Sequence, residues 1–170
     1  MEYGLVVGWL VAYLVLGAVG FPLAARLFRR FPDCGVSLAL PISLVVVGLI
    51  TFWVGHLSLT LGLAVGLVVL VCLSVLSLRG LDRHEFDFRR MVGPVVVFAL
   101  AFSFVIAVRA VDPAVHPGGG EKFLDFGLLK TILRADSLPP EDFWFAGKPV
   151  QYYYGGHLIA AILAKLTFTE

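Results

Sequence analysis

Charge is scarce in this chain. Asp, Glu, Lys and Arg make up 15% of its 170 residues, where soluble domains carry about 25%. Neither sign dominates: 13 Lys and Arg stand against 12 Asp and Glu, which excludes the basic footprint of a nucleic-acid binder. Cysteine is also scarce. Two residues, Cys34 and Cys72, are too few for a secreted disulfide scaffold. Cys72 lies inside an apolar run and reads as a small buried hydrophobe. Missing, too, is any Asp, Glu, Lys or Arg deep inside the apolar runs. Ionisable groups at membrane depth mark proton relays and ion pathways, so the chain does not read as a self-sufficient pump or coupled transporter. What fills the chain is 59% hydrophobic residue, at a mean hydropathy of +0.94. That is too apolar for a cytosolic enzyme or a disordered tail, and the excess belongs in lipid.

A helix needs about 20 apolar residues to cross a bilayer. Five runs reach or approach that length: 3–25, 35–54, 59–78, 91–108 and 150–166. The first has no basic residue before it and is too long for a signal-peptide core, so it reads as a span. Residues 1–108 then form a four-helix transmembrane region, and 109–149 a motif-bearing external loop with a helix over 121–135. Residues 150–170 form a fifth transmembrane helix. The expected fold class is an all-α polytopic membrane protein with one added interfacial helix.

Orientation follows from the basic residues. Arg26, Arg29 and Arg30 follow the first run, and Arg79, Arg83, Arg89 and Arg90 lie between the third and fourth. The turn 55–58 and the residues before the first run hold no Lys or Arg. The loops 26–34 and 79–90 are therefore expected in the cytoplasm, with the N-terminus and 109–149 outside. Small residues recur four apart at Gly4/Gly8, Gly62/Gly66 and Gly156/Ala160/Ala164, the spacing of ordinary close helix packing in lipid.

The specific text lies in 109–149 and the start of the fifth run. Asp112–Pro113, His116–Pro117 and Gly118–Gly120 interrupt structure before a helical stretch. With Glu121 at zero, Asp125 falls near about 40° and Leu124, Leu128, Ile132 and Ala135 within about 60°. Lys122, Lys130 and Arg134 point elsewhere, at about 100°, 180° and 220°. The carboxylates thus share a stripe with apolar residues, as in a helix wedged between protein and interface. Glu121 and Asp125 repel mildly at that spacing. They read either as a solvated acidic first turn or as a pair facing a cavity. In the cavity reading one is a general base, and the other holds a divalent cation or a substrate hydroxyl.

Asp142, Trp144 and Phe145 occupy the following loop, where they anchor in the interface or line a pocket. Tyr152, Tyr153 and Tyr154 come next, before Gly155, Gly156 and His157. On a helix Tyr153 and His157 share a face and Tyr152 points away. This run suits an aromatic belt, or a stacking surface for sugars or isoprenoid chains. His56 and His84 read as solvated, and His116 with Glu121 offers two ligands, too few for a metal site.

The text GGEKFLDFGLLKTILRADSLPPEDFWFAGKPVQYYYGGH resembles the YYY membrane-protein family of archaea and Chloroflexi, a domain of unknown function. Its three blocks are an E-K-x-x-D-F block, an I-L-R block running through P-P-x-D-x-W to a glycine, and a Y-Y-Y-x-G-H block. They occur here in order. Phe143 stands where proline is common and Gln151 where asparagine is common. Family members are longer, so the resemblance implies the front part of a larger protein. The family is in turn remotely similar to C-type integral membrane glycosyltransferases, whose acidic motif lies in the first large external loop. That likeness implies a polyprenyl-phosphate sugar donor, an external acceptor and Asp125 or Glu121 as general base. Lys122, Lys130 or Arg134 would hold phosphate, and Asp142, Trp144, Tyr152, Tyr153, Tyr154 and His157 would line the substrate. Two other readings stand beside it: a non-catalytic lipid- or sugar-binding carrier or envelope-assembly component, and a purely structural bundle.

Overall fold

A computed structural model describes residues 3–79, 81, 88–111 and 121–169. Its order is α1 (Tyr3–Leu27), α2 (Val36–Val54), α3 (Leu59–Leu78), α4 (Phe88–Val111), α5 (Lys122–Arg134) and α6 (Gly155–Leu166). The chain is an all-α, multi-pass membrane protein. Four helices, α1 to α4, are long and apolar enough to cross a bilayer. The fifth expected crossing is shorter than its apolar run. Residues 150–154 stay out of the helix, and α6 has 12 residues. At 1.5 Å per residue it is about 18 Å long, against a hydrocarbon core of about 30 Å. The Arg83, His84, Asp112–Pro113, His116–Pro117 and Gly118–Gly120 features lie outside the described residues.

The chain divides into two compact units. One comprises Met1–Ala12, Val46–Val68 and Ala114–Glu170, the other Tyr13–Val45 and Val69–Pro113. In the second unit a buried hydroxyl joins α1 to α2. Ser43 Oγ donates to Leu16 O at 2.7 Å and is 2.9 Å from Ala39 O. Gly20 leaves room for it, since a Cβ there would run into the Ser43 hydroxyl. Asp33 caps α2 by accepting from the Ser37 and Gly35 amides. Burial alone would raise its carboxyl. The hydrogen bonds from Ser37 and Gly35 outweigh that and hold it below the usual carboxylate range. Arg26 Nη1 donates to Leu76 O at 3.2 Å, meeting a carbonyl in the last turn of α3. Cys72 is exposed on α3, not buried as its apolar neighbours suggest. A uniformly apolar helix presents small residues to lipid as readily as to the bundle.

In the first unit α2 and α3 approach through glycine. A Cβ on Gly62 would lie 2.9 Å from both Gly55 N and Thr51 O, and one on Gly66 would lie 3.0 Å from Val47 O. The stripe at Gly4/Gly8 makes no such approach: nothing lies within 4 Å of a Cβ on Gly4, and the nearest atom to one on Gly8 is at 4.0 Å. After α5 the chain returns to the α2–α3 turn. Leu59 N donates to Asp136 O at 2.7 Å, and Leu138 N to Gly55 O at 2.8 Å. Residues 140–150 then close a tight loop through Val150 N to Pro140 O and Asp142 N to Lys148 O.

These approaches make a stability prediction. Gly62→Leu should cost about 1–3 kcal/mol, because the added atoms meet backbone that has nowhere to go. Gly93→Leu, where nothing lies within 4 Å, should be neutral or stabilising through helix propensity. Thermal unfolding of both variants in detergent checks the contrast.

Candidate functional site

α5 and α6 pack side by side and run parallel. Two polar contacts fix this, each joining residues 32 apart in the sequence. At the N-terminal ends, His157 Nε2 meets Asp125 Oδ1 at 3.0 Å. At the C-terminal ends, Lys165 Nζ donates to Leu133 O at 3.1 Å, satisfying a carbonyl of the last turn of α5. Buried Leu128 and Ile132 of α5 and Leu158, Ala161 and Ile162 of α6 lie between these points along the two helices. The apolar stripe read from the sequence is thus the face that carries Asp125.

The parallel arrangement gathers two helix N-termini at one end, which favours negative charge there. Glu121 sits at the N-cap position of α5 without capping it through its side chain, and Asp125 lies in the first turn. Asp125 is 59% exposed and His157 only 19%. With Nε2 engaged by the carboxylate, the other ring nitrogen of His157, Nδ1, is buried without a hydrogen-bond partner. The imidazole therefore backs the carboxylate, and the carboxylate faces outward.

Tyr152 and Tyr153 stand at the same end. Their rings stack at 4.1 Å, and Tyr152 Oη donates to Tyr153 Oη at 2.8 Å. That hydrogen bond, with some desolvation and the nearby charges of Glu121 and Asp125, pushes the Tyr152 hydroxyl up to about 12. Tyr152 thus lies within the field of both carboxylates and does not point away from them. The helical-face argument failed because α6 starts only at Gly155, leaving the three tyrosines on non-helical backbone. Tyr154 turns elsewhere: its ring meets Phe52 of α2 at 6.2 Å, and burial raises its hydroxyl. His56 is exposed, with Nδ1 2.8 Å from Phe52 O.

The remaining expected residues gather on the opposite face of α5. Lys130 and Arg134, about 140° and 180° round the helix from Asp125, line a cleft of about 860 Å³ with Asp142 and Trp144. The Asp142 carboxylate is committed to the local turn. Its Oδ1 accepts from the amides of Trp144 and Phe145 at 2.8 and 3.2 Å. Trp144 is exposed and packs on Phe143 at 4.4 Å. Phe143 in turn sits where a Cβ on Gly127 would be. Lys122 starts α5 next to Glu121. Glu141 and Lys165 were not foreseen as structural anchors, yet Glu141 Oε1 accepts from Gly147 N. Among the described residues no group of three His, Cys, Asp or Glu side chains is placed to hold a metal ion. The expected cation therefore has the carboxylates of Glu121 and Asp125 and no third such ligand among the described residues.

Residues 46–170 match the family described as uncharacterised membrane protein, DUF2298. The chain belongs to that family. The matched DUF2298 region contains α3 to α6 and every residue named at the site, from Phe52 to Lys165. No curated protein and no solved structure matches the chain. Neither the family match nor the other two comparisons show a likeness to C-type glycosyltransferases.

The tyrosine pair gives a titration test. Deprotonation is the charging step, so a raised value means Tyr152 holds its proton to higher pH. In Tyr153→Phe the accepting hydroxyl is gone, and Tyr152 should titrate closer to the ordinary 10.0. Ring-labelled tyrosine NMR, with Tyr152→Phe to assign the signal, measures this. An unchanged Tyr152 titration in Tyr153→Phe would show that the hydrogen bond does not set it.

Proposed function

We propose that the head of α5 and α6 activates an acceptor hydroxyl in a membrane glycosyltransferase that draws its sugar from a polyprenyl-phosphate donor. The observation that carries this reading is the Asp125–His157 pair, a half-exposed carboxylate backed by a mostly buried imidazole. A general base must reach the proton it takes and keep its orientation while doing so. His157 cannot serve as the base through Nδ1, which is buried. The outward oxygen of Asp125 can. It takes the proton as the acceptor oxygen forms its bond to the anomeric carbon. The bond from that carbon to the donor phosphate breaks, and the phosphate leaves with the electron pair. The product is inverted at the anomeric centre. His157 is a positioning residue, and the stacked faces of Tyr152 and Tyr153 suit a sugar ring. Tyr152 donates its proton to Tyr153, which leaves the Tyr153 hydroxyl to donate to the sugar. The donor class is supported by the motif's resemblance and not by the geometry.

One observation favours a second reading. The Asp125–His157 and Lys165–Leu133 contacts also fasten two helices at both ends, as a non-catalytic lipid- or sugar-binding component of the envelope would need. Turnover separates the two. The protein in lipid nanodiscs should transfer labelled sugar from polyprenyl-phosphate donors. Asp125→Asn should lower the rate by about 10²–10⁴-fold, while His157→Gln should lower it less and displace the pH profile. Full activity in Asp125→Asn refutes the base assignment. Saturable sugar binding without turnover in the unaltered chain supports the carrier.

The same reading places the site on the outer face, supported by the seven arginines of loops 26–34 and 79–90. In a chain with Cys34 and Cys72 replaced by serine, Ala146→Cys should react with an impermeant maleimide in intact cells. Arg30→Cys should react only after lysis, and the reverse pattern inverts the topology.

A further inference from the structure

The cleft on the far face of α5 lies away from Asp125 and His157, and its walls differ in charge. Lys130 and Arg134, four residues apart, stand on the helix wall. Asp136, Glu141 and Asp142 stand on the loop wall. Among the described residues Lys130 and Arg134 make no ion pair, and the one partner of Lys130 is the Phe126 ring at 5.9 Å. Glu141 and Asp142 each turn one carboxylate oxygen to local amides, those of Gly147 for Glu141 and of Trp144 and Phe145 for Asp142. Among the described residues neither carboxylate pairs with Lys130 or Arg134. A cleft of about 860 Å³ therefore separates a positive wall from a negative one. Its loop wall includes Phe143 and exposed Trp144, rings able to receive a cationic group on their faces. The neighbouring Phe126 and Phe145 are also exposed, an aromatic rim of the kind found at a membrane–water boundary.

We propose that this cleft is a lipid site that takes the headgroup of a zwitterionic phospholipid. Its phosphate lies between Lys130 and Arg134, and its ammonium lies against Asp136 and the Phe143–Trp144 rings. A purely anionic headgroup would satisfy the two cations but face three carboxylates. A zwitterion meets both walls. Two like charges four apart on one helix repel, and a phosphate between them removes that repulsion. The exposed rim then rests in the same leaflet that supplies the lipid.

The test uses the full chain in a neutral, non-zwitterionic detergent. It follows Trp144 fluorescence as the difference between the unaltered chain and Trp144→Phe, during titration with a short-chain phosphatidylcholine. A saturable change is expected. Affinity should fall about tenfold or more in Lys130→Gln/Arg134→Gln and again in Asp136→Asn, as charge-assisted contacts are lost. Phosphatidylglycerol of equal chain length should bind about tenfold more weakly. Equal affinity for the two lipids, or affinity unmoved by Lys130→Gln/Arg134→Gln, overturns the proposal. Soluble phosphocholine binding as tightly as the lipid also overturns it, because the ligand would then be a free headgroup. None of these readouts uses Asp125 or His157, so failure here leaves the transferase reading intact, and the converse holds too.

Discussion

Two backbone hydrogen bonds tie residues 136–138 to the turn between α2 and α3, and the site depends on them. Helix ends leave backbone groups without partners inside the helix, and near a bilayer each one left dry costs free energy. The turn between α2 and α3 exposes the Gly55 carbonyl just past one helix end and the Leu59 amide at the next helix start. Residues 136–138 supply the complement, with Asp136 O accepting from Leu59 and Leu138 N donating to Gly55. One short stretch of chain thus caps two helices. It can do so because Gly55 and Gly62 let α2, α3 and Leu138 come close. Once 136–138 is fixed, the end of α5 is fixed as well. The closed loop 140–150 then delivers the chain to the start of α6, and α6 is set alongside α5.

The membrane helices were legible because a span is a property of a continuous run. Residues 59–78 needed only apolarity and length to become α3. Legibility ended where a residue's role depends on a distant partner. The repeat at Gly62/Gly66 meets α2, whereas that at Gly4/Gly8 meets nothing close, and the two look alike in sequence. Small residues permit an approach without specifying the neighbour. Asp125 stood out through its stripe, but its partner His157 is 32 residues away, a separation no local period encodes. The tyrosines were misplaced for a different reason: apolar continuity over 150–166 suggested helix, while Gly155 and Gly156 put the helix start later. Asp142 was legible as polar and not as a turn residue. Its Asp-x-Trp spacing is that of a side chain bonding the amide two residues on, and that local chemistry accounts for it without a ligand.

α5 is the element on which the functional reading turns, because its 13 residues carry two unlike surfaces. Toward α6 it buries leucine and isoleucine and presents one carboxylate, held from behind by an imidazole. Toward the loop it presents two cations and an aromatic ring across an open cleft. The resemblance implies Lys122, Lys130 or Arg134 as the partner of a donor phosphate, and the positions of Lys130 and Arg134 round the helix put these two away from Asp125. A donor phosphate held by Lys130 and Arg134 would have the helix itself between it and Asp125. On the proposed readings, Asp125 and the basic cleft therefore serve different molecules or different parts of a long one. A lipid-borne substrate has such parts, since its head reacts while its chain and neighbouring lipids remain in the leaflet. A short, rigid helix bolted at both ends keeps a fixed relation between the two surfaces. On the proposed reading, a donor whose phosphate leaves at the Asp125 end must find its cation elsewhere. Lys122, at the same end of α5 and next to Glu121, is the cation of this helix that the geometry leaves for that role.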